Sequence, residues 1–498
     1  MSNSKLTTII LLCCAFVTAQ AQDFITEDLG TTTTEFQYDL RDLFRSGIPK
    51  RMLRSRQQVE DADTAYNYRD RIANMPDYMN AFIDDFIEAG QTVLDGGVSW
   101  LSDPTKGEYE SGAYYYLIDE VNGSTDFTFP AGSTNNTIKQ AAQKAASKDM
   151  DIRMDTLKSF LPYAYLCANY DHPEFFWINN SFRFGASSSL KMSYSPSGSG
   201  TVDYTMKFRF ILRSSDFDFR SNGVSGYDFR MSGSIPAGVT RFNEAKESIL
   251  KQCASKRTTY FKLLAAHDWL TTHNCYNRFV SLGYGQEYVG NTPWSPISAL
   301  EGNSNNMQSP VCEGYARALK VLCDEMGIPC ILVGGIATPR PDVKPDAHMW
   351  NYVRMDDGKW YAVDVTWDDP SDRSITTPVS GYESHDWFLL GSSTQVAENF
   401  SFLDSHPEQW PNGYENSGTI PWETKPWPEL SDSEWEPAPY DPNGDGVTDK
   451  EDIRLMARTI ARNGDDIDDV DGNGRISVGD LVRLIVRYLS ESEGQAEE

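Results

Sequence analysis

Three residue types able to make an acyl-transfer site follow one another in this chain: Cys312 in "SPVCEGYARALKVLCDEMGIPC", His348 in "HMWNYV" and Asp364 in "WYAVDVTWDD". Ala316, Leu319, Val321, Leu322 and Met326 predict an amphipathic helix from about Cys312 to Met326, stopped by Gly327 and Pro329. Cys312 then heads that helix, where unpaired amides and the macrodipole favour the attacking thiolate. The later segment reads as a β-hairpin: His348 to Arg354, a turn containing Asp357-Gly358, then Lys359 to Thr366. In that register His348 and Asp364 are nearly opposed on neighbouring strands, within side-chain reach. A carboxylate beside an imidazole fixes its tautomer and stabilises its cation, so the set supplies nucleophile, base and orienter. The pattern alone leaves a second reading open, a packed helical thiol beside a structural His–Asp pair.

A second chemical cluster is an internal repeat. "DPNGDGVTDKED" from Asp441 and "DVDGNGRISVGD" from Asp469 align 28 residues apart, with acidic or amide oxygens at loop positions one, three and five. A hard cation such as Ca²⁺ takes six to eight oxygens, which a loop supplies by alternating side chains with the carbonyl of position seven. One ion is assigned to Asp441, Asn443, Asp445, the Val447 carbonyl, Asp449 and Asp452, and a second to Asp469, Asp471, Asn473, the Arg475 carbonyl, Ser477 and Asp480. Gly446 and Gly474 stand at position six, where the turn is sharpest. Each loop runs into a helix with apolar residues in matching places, Ile453, Met456 and Ile460 against Leu481, Leu484 and Tyr488.

The elements that must position these residues belong to a long chain. At 498 residues it exceeds a single core, and 40% hydrophobic with 12% aromatic residues is enough for several packed interiors. Its 72 acidic against 44 basic residues give a net charge of -28, which repels phosphate polymers and argues against a nucleic-acid partner. "MSNSKLTTIILLCCAFVTAQAQ" reads as a secretory signal, residues 1–21, cleaved after Ala21, and no segment has a membrane-spanning length. The expected location is secreted and extracellular. Cys167, Cys253, Cys275, Cys312, Cys323 and Cys330 remain, and with Cys312 free the other five form at most two bridges.

Residues 22–240 begin with helical patterning such as "MPDYMNAFIDDFIEAGQTVL" and turn strand-like after Phe176; no chemistry is assigned to them. Residues 241–425 hold the cysteine, histidine and aspartate. "KPWPELSDSEWEPAPY" lacks apolar periodicity and reads as a linker, 426–438. The repeat occupies 439–492 and an acidic tail 493–498. His267 and His273 share one predicted helix at an interval of six, which does not bring both to one face, so no metal site is expected from that pair. Glu313 is read as a local anchor, Asp368 and Asp369 as loop caps, Trp350, Trp360 and Trp367 as packing around the sheet, and Gln308 as polar loop filler.

"VCEGYARALKVLCDEMGIPC", "HMWNYV" and "WYAVDVTWDD" resemble, in order and spacing, the core motifs of the transglutaminase-like superfamily. "YFKLLAAHDWLTTHNCYN" is similar to the helix that precedes the nucleophile, "HDWFLLGS" to a following strand, and "DHPEFFWI" to a segment ahead of the core in bacterial members. The resemblance implies an α+β class with a papain-like core, a nucleophile helix packed on an antiparallel sheet. It implies Cys312 as nucleophile, His348 as base and acid, Asp364 as orienter, and no cofactor for catalysis. The two calcium loops, with Asp at position twelve and no preceding helix, resemble a type I dockerin, a small all-α module. That resemblance implies two Ca²⁺ ions, attachment to a cohesin domain of a cellulosome scaffoldin, and partner-reading positions at Lys450 and Glu451 in one repeat and Val478 and Gly479 in the other. Since these pairs are unlike, one binding orientation is expected. The expected function is a secreted cysteine peptidase or amidase acting on protein, with a cross-linking transamidase or a catalytically silent subunit as alternatives.

Overall fold

The computed structural model describes residues 24–40, 67–72, 75–102, 108–110, 113–178, 180–211, 235–256, 258–282, 292–302, 309–369, 384–407, 427–435, 442, 448–462 and 476–494. The leader at 1–21 and Gln308 lie outside them. The chain divides into two compact units, one made of 1–36, 116–158 and 184–211, the other of 37–115, 159–183 and 212–498. Among the described residues no helix is long and apolar enough to cross a membrane. The fold is mixed α and β with antiparallel sheets.

The N-terminal part contains β1 (Ile25–Asp39), α1 (Asp77–Leu94), β2 (Glu108–Glu110), β3 (Ala113–Thr128), α2 (Asn135–Tyr170), β4 (Ser181–Ser195) and β5 (Ser199–Ile211). The strands form one sheet in the order β1-β4-β5-β3-β2. In β5, Val202, Tyr204, Met206, Phe208 and Phe210 are buried and alternate with Asp203, Thr205 and Lys207, the period of two that a covered face imposes. Gly198, at φ +115°, closes the β4 to β5 turn by donating its N–H to the Ser195 carbonyl. The helical patterning at α1 and the strands after Phe176 are where the sequence puts them. Strands β1 and β3 are additional, and β1 is mostly exposed, so its pairing rather than a buried apolar face makes it a strand.

The second half builds the core of interest. Its elements are α3 (Ile235–Cys253), α4 (Thr259–His273), α5 (Arg278–Ser281), α6 (Pro296–Leu300), α7 (Cys312–Met326), β6 (Cys330–Ala337), β7 (Asp346–Arg354), β8 (Trp360–Val363), α8 (Val365–Asp368), β9 (Phe388–Leu390), β10 (Gln395–Ala397), β11 (Phe400–Ser401) and α9 (Phe402–Ser405). An antiparallel sheet runs β6-β7-β8-β9. Helix α7 packs on β6 and β7 and against α4 and α6, and Met349 to Val353 of β7 are all buried, as a strand covered on both faces must be. Helix α7 ends at Gly327, whose left-handed φ of 71° lets the Ile328 N–H reach the Cys323 carbonyl at 2.9 Å.

Residues 427–435, inside the stretch expected as a linker, lie on this core. Ser431 N–H donates to the Trp360 carbonyl at 2.8 Å, Trp435 N–H donates to the Leu389 carbonyl at 2.9 Å, and Trp427 is buried. Isolated anchors of this kind leave no periodicity to read. Beyond them are α10 (Lys450–Ala461) and α11 (Val478–Gly494), which pack on each other around Met456 and Leu484.

Candidate active site

The segment leading into α7 is pinned before the helix starts. Asn277 donates its backbone N–H to the Pro310 carbonyl at 2.9 Å and its side-chain amide to the Ser309 carbonyl at 3.1 Å, while Val311 N–H donates to the Pro293 carbonyl at 2.9 Å. Gly314 explains the glycine of "CEGYA": a Cβ there would stand 2.4 Å from the Pro293 carbonyl oxygen. Cys312 is the first residue of α7, so its amide and the next two have no intrahelical acceptor. Its side chain is partly exposed.

Behind Cys312 the helix is held by a buried polar network. Glu313 accepts from Arg317 Nε at 2.8 Å and from Asn180 Nδ2 at 2.6 Å, and Arg317 donates onward to the Asn169 and Asn180 side-chain oxygens at 2.5 and 2.9 Å. Glu313 is therefore an anchor, as read from the sequence. Asn351 of β7 ties the sheet to the helix, donating to the Ala316 carbonyl at 3.0 Å.

His348 and Asp364 come together by a different route from simple opposition. The register pairs Asn351 with Val363 and Arg354 with Trp360, after which β8 ends. Asp364 leaves the strand to cap α8, its Oδ1 accepting from the Thr366 and Trp367 amides at 3.0 and 3.4 Å. That turn carries Oδ2 diagonally to His348 Nε2, 2.7 Å away. Cys312 also acts on the His348 ring and favours its cation.

Burial alone would disfavour the His348 cation, but the Asp364 carboxylate and Cys312 outweigh it and push the ring up to about 10. Burial works the other way on Asp364, yet the charge and hydrogen bonds of His348 and His406 hold its carboxyl well below the usual range. Trp367 stacks on His348 with centroids 5.0 Å apart, and Trp350 and Trp360 are buried in the sheet.

His406 was not legible in the sequence. Its Nε2 lies 3.2 Å from the same Oδ2 of Asp364, so one carboxylate oxygen serves two histidines. Burial drives the His406 ring down to about 4, leaving it neutral and donating to Asp364 through Nε2. Its Nδ1 finds no partner among the described residues. The chain delivers it through α9, capped by Ser401 with Asp404, and clamped where Ser405 and Thr338 exchange hydrogen bonds of 2.7 and 2.9 Å. No motif marks "SHPEQW"; the only signal is scarcity, since the whole chain has 6 histidines.

Asp368 and Asp369 do more than cap a loop. Asp368 holds the Trp387 N–H at 3.0 Å and also the buried His267 Nε2 at 3.1 Å, while Asp369 accepts from the Tyr315 hydroxyl. His273 is turned away from His267 and stacks on Trp269 at 4.5 Å. The six cysteines named from the sequence are all free thiols, and the Cys330 sulfur accepts from Asn351 Nδ2 at 3.4 Å.

Of the twelve calcium positions, Asp441, Asn443, Asp445, Val447, Asp469, Asp471, Asn473 and Arg475 lie outside the described residues. Asp449, Asp452, Ser477 and Asp480 lie within them and repeat one geometry. Asp449 caps α10 and donates its N–H to Asp452 at 2.7 Å; Ser477 precedes α11 and donates its N–H to Asp480 at 2.6 Å. Asp452 and Asp480 are both buried.

Residues 247–365 match the family described as the transglutaminase-like superfamily, a span that includes Cys312, His348 and Asp364, and this part of the chain is a transglutaminase-like superfamily domain. No curated protein sequence matches the chain. A solved structure, described as the crystal structure of a TGase, aligns at 16% identity and a TM-score of 0.23 over 43% of this chain and 50% of the other, so the chain spans half of that protein. A TM-score of that size is no evidence of a shared fold.

Proposed function

We propose that this chain is an exported cysteine amide hydrolase acting on protein, carried on a scaffold by its C-terminal calcium loops. The observation that supports it most is the His348 ring held between Asp364 and Cys312 at the head of α7, inside a transglutaminase-like superfamily domain. A nucleophile helix packed on the antiparallel strands that carry the base also favours a papain-like order.

In this mechanism the Cys312 thiolate attacks an amide carbonyl, forming a C–S bond and an oxyanion. The Cys312 amide, free of an intrahelical acceptor, is the nearest donor for that oxygen. The His348 imidazolium gives its proton to the amine as the C–N bond breaks, leaving a thioester. Water then attacks, His348 takes its proton, and the acid leaves with the thiolate restored. Asp364 keeps the ring oriented throughout and stabilises its cation whenever it holds the proton, and His406 presents a second donor to that carboxylate.

The C-terminal reading is a dockerin-like module for a cohesin partner. Asp452 and Asp480, buried with one oxygen each on a helix-start amide, fit an oxygen-only site, and with Asp449, Ser477 and the remaining loop positions they would hold Ca²⁺. Val478, Val482 and Val486 are 52–62% exposed along one side of α11, an apolar stripe suited to a protein partner. Export follows from the leader read at 1–21.

The test uses the full chain and its Cys312→Ala variant on casein. Release of new amino termini by the unmodified chain alone supports the hydrolase. Incorporation of a primary amine without cleavage makes it a transamidase. Neither activity, with Cys312 inert to alkylation, makes it a silent subunit.

A further inference from the structure

A second cluster of ligating side chains uses none of the residues of the cysteine site. His267 of α4 is buried, with Nδ1 3.1 Å from Asp268 Oδ1, and His385 places Nε2 2.7 Å from that same oxygen. The three ligand atoms all lie within 4.8 Å of one another. His267 hydrogen-bonds Asp268 and Asp368 and takes no part in the Cys312–His348 pair.

The outer groups are as telling as the inner ones. The far nitrogen of His267, Nε2, is 3.1 Å from Asp368, whose carboxylate is buried. That contact orients the ring so that Nδ1 faces Asp268 and His385, the carboxylate–histidine arrangement that metal-binding histidines use. Asp368 also accepts the Trp387 N–H at 3.0 and 3.3 Å, fixing the chain two residues after His385. One buried carboxylate thus steadies both histidines. Asp268 and His385 are 34% and 43% exposed, so an ion can enter and keep a water as its fourth ligand.

We propose that His267, Asp268 and His385 bind one divalent transition-metal ion of the zinc type, with Asp368 as the outer carboxylate that orients His267. Two imidazole nitrogens and one carboxylate oxygen are a borderline donor set that suits Zn²⁺ or Co²⁺, and too few oxygens for Ca²⁺. The site is distinct from the calcium loops and does not depend on the hydrolase reading.

The full chain is stripped with a chelator, supplied with saturating Ca²⁺ to fill the C-terminal loops, and titrated with Co²⁺ and Zn²⁺. Visible cobalt absorption and metal retained through gel filtration are read. The expected result is one tight equivalent in the unmodified chain and in Cys312→Ala. That equivalent weakens at least about 100-fold in His385→Ala and Asp268→Asn, and about 10 to 100-fold in Asp368→Asn. His385 is exposed enough for its variant to fold, and circular dichroism is used to check that it does. A wild-type chain that retains no ion, or a His385→Ala chain that retains the same equivalent, overturns the proposal and leaves an ion-paired imidazole.

Discussion

The cysteine site and the C-terminal repeat solve the problem of gathering chemistry in opposite ways. Cys312, His348, Asp364 and His406 arrive from a helix, a strand, a helix cap and a loop, and each is fixed by contacts that exist without any ligand. On the proposed calcium reading the repeat would draw each set of oxygens from twelve consecutive positions, and its two helices rest on a small core around Met456 and Leu484. A site built from distant elements is preorganised by the fold. A site built from one loop per ion depends on the ion for much of its stability.

Removing calcium therefore separates the two regions most sharply. Chelation is expected to abolish the helical signal of α10 and α11 and all scaffold binding, while Cys312 alkylation proceeds unchanged; a parallel loss of both would break the contrast. Next in size is Arg317→Ala, which strands Glu313 in the interior and costs about 3 to 5 kcal/mol in chemical denaturation of the core. The melting of the repeat stays where it was.

A smaller effect comes from pH. His348 keeps its proton up to about 10 in the folded chain, against 6.5 for a free ring, so its contribution to stability is complete below about 6.5, declines as pH rises, and is gone above about 10. Between pH 7 and 10 the Tm of the unmodified chain's core falls, by calorimetry, by more than that of His348→Asn. The smallest shift in stability belongs to Val482→Asp on the exposed stripe, within about 0.5 kcal/mol. Its effect is on binding alone, and a cohesin-type partner that still binds it with full affinity rules the stripe out.

How much of this could be read beforehand follows from the same contrast. Helix α7 was legible to its ends, because apolar periodicity, Gly327 and Pro329 are local signals. His348 and Asp364 were legible as a pair through the hairpin, but not the diagonal that joins them, which arises because Asp364 quits β8 to cap α8. His406 was invisible, being carried in by β10, β11 and α9 with no pattern of its own. Asp368 reads as a cap in the sequence because its partner His267 lies 101 residues away, a separation no local pattern crosses. Trp427 and Trp435 hid in a stretch whose proline content resembled a linker.

The central claim is that His348 and Asp364 make Cys312 the reactive nucleophile. Brief treatment of the calcium-loaded chain with iodoacetamide at pH 7, followed by peptide mass spectrometry, tests it directly. The account predicts modification at Cys312 ahead of the buried thiols Cys167, Cys253, Cys275, Cys323 and Cys330, and a rate roughly 100-fold lower in His348→Ala. Equal rates in the two chains, or modification spread across the buried cysteines, would contradict it.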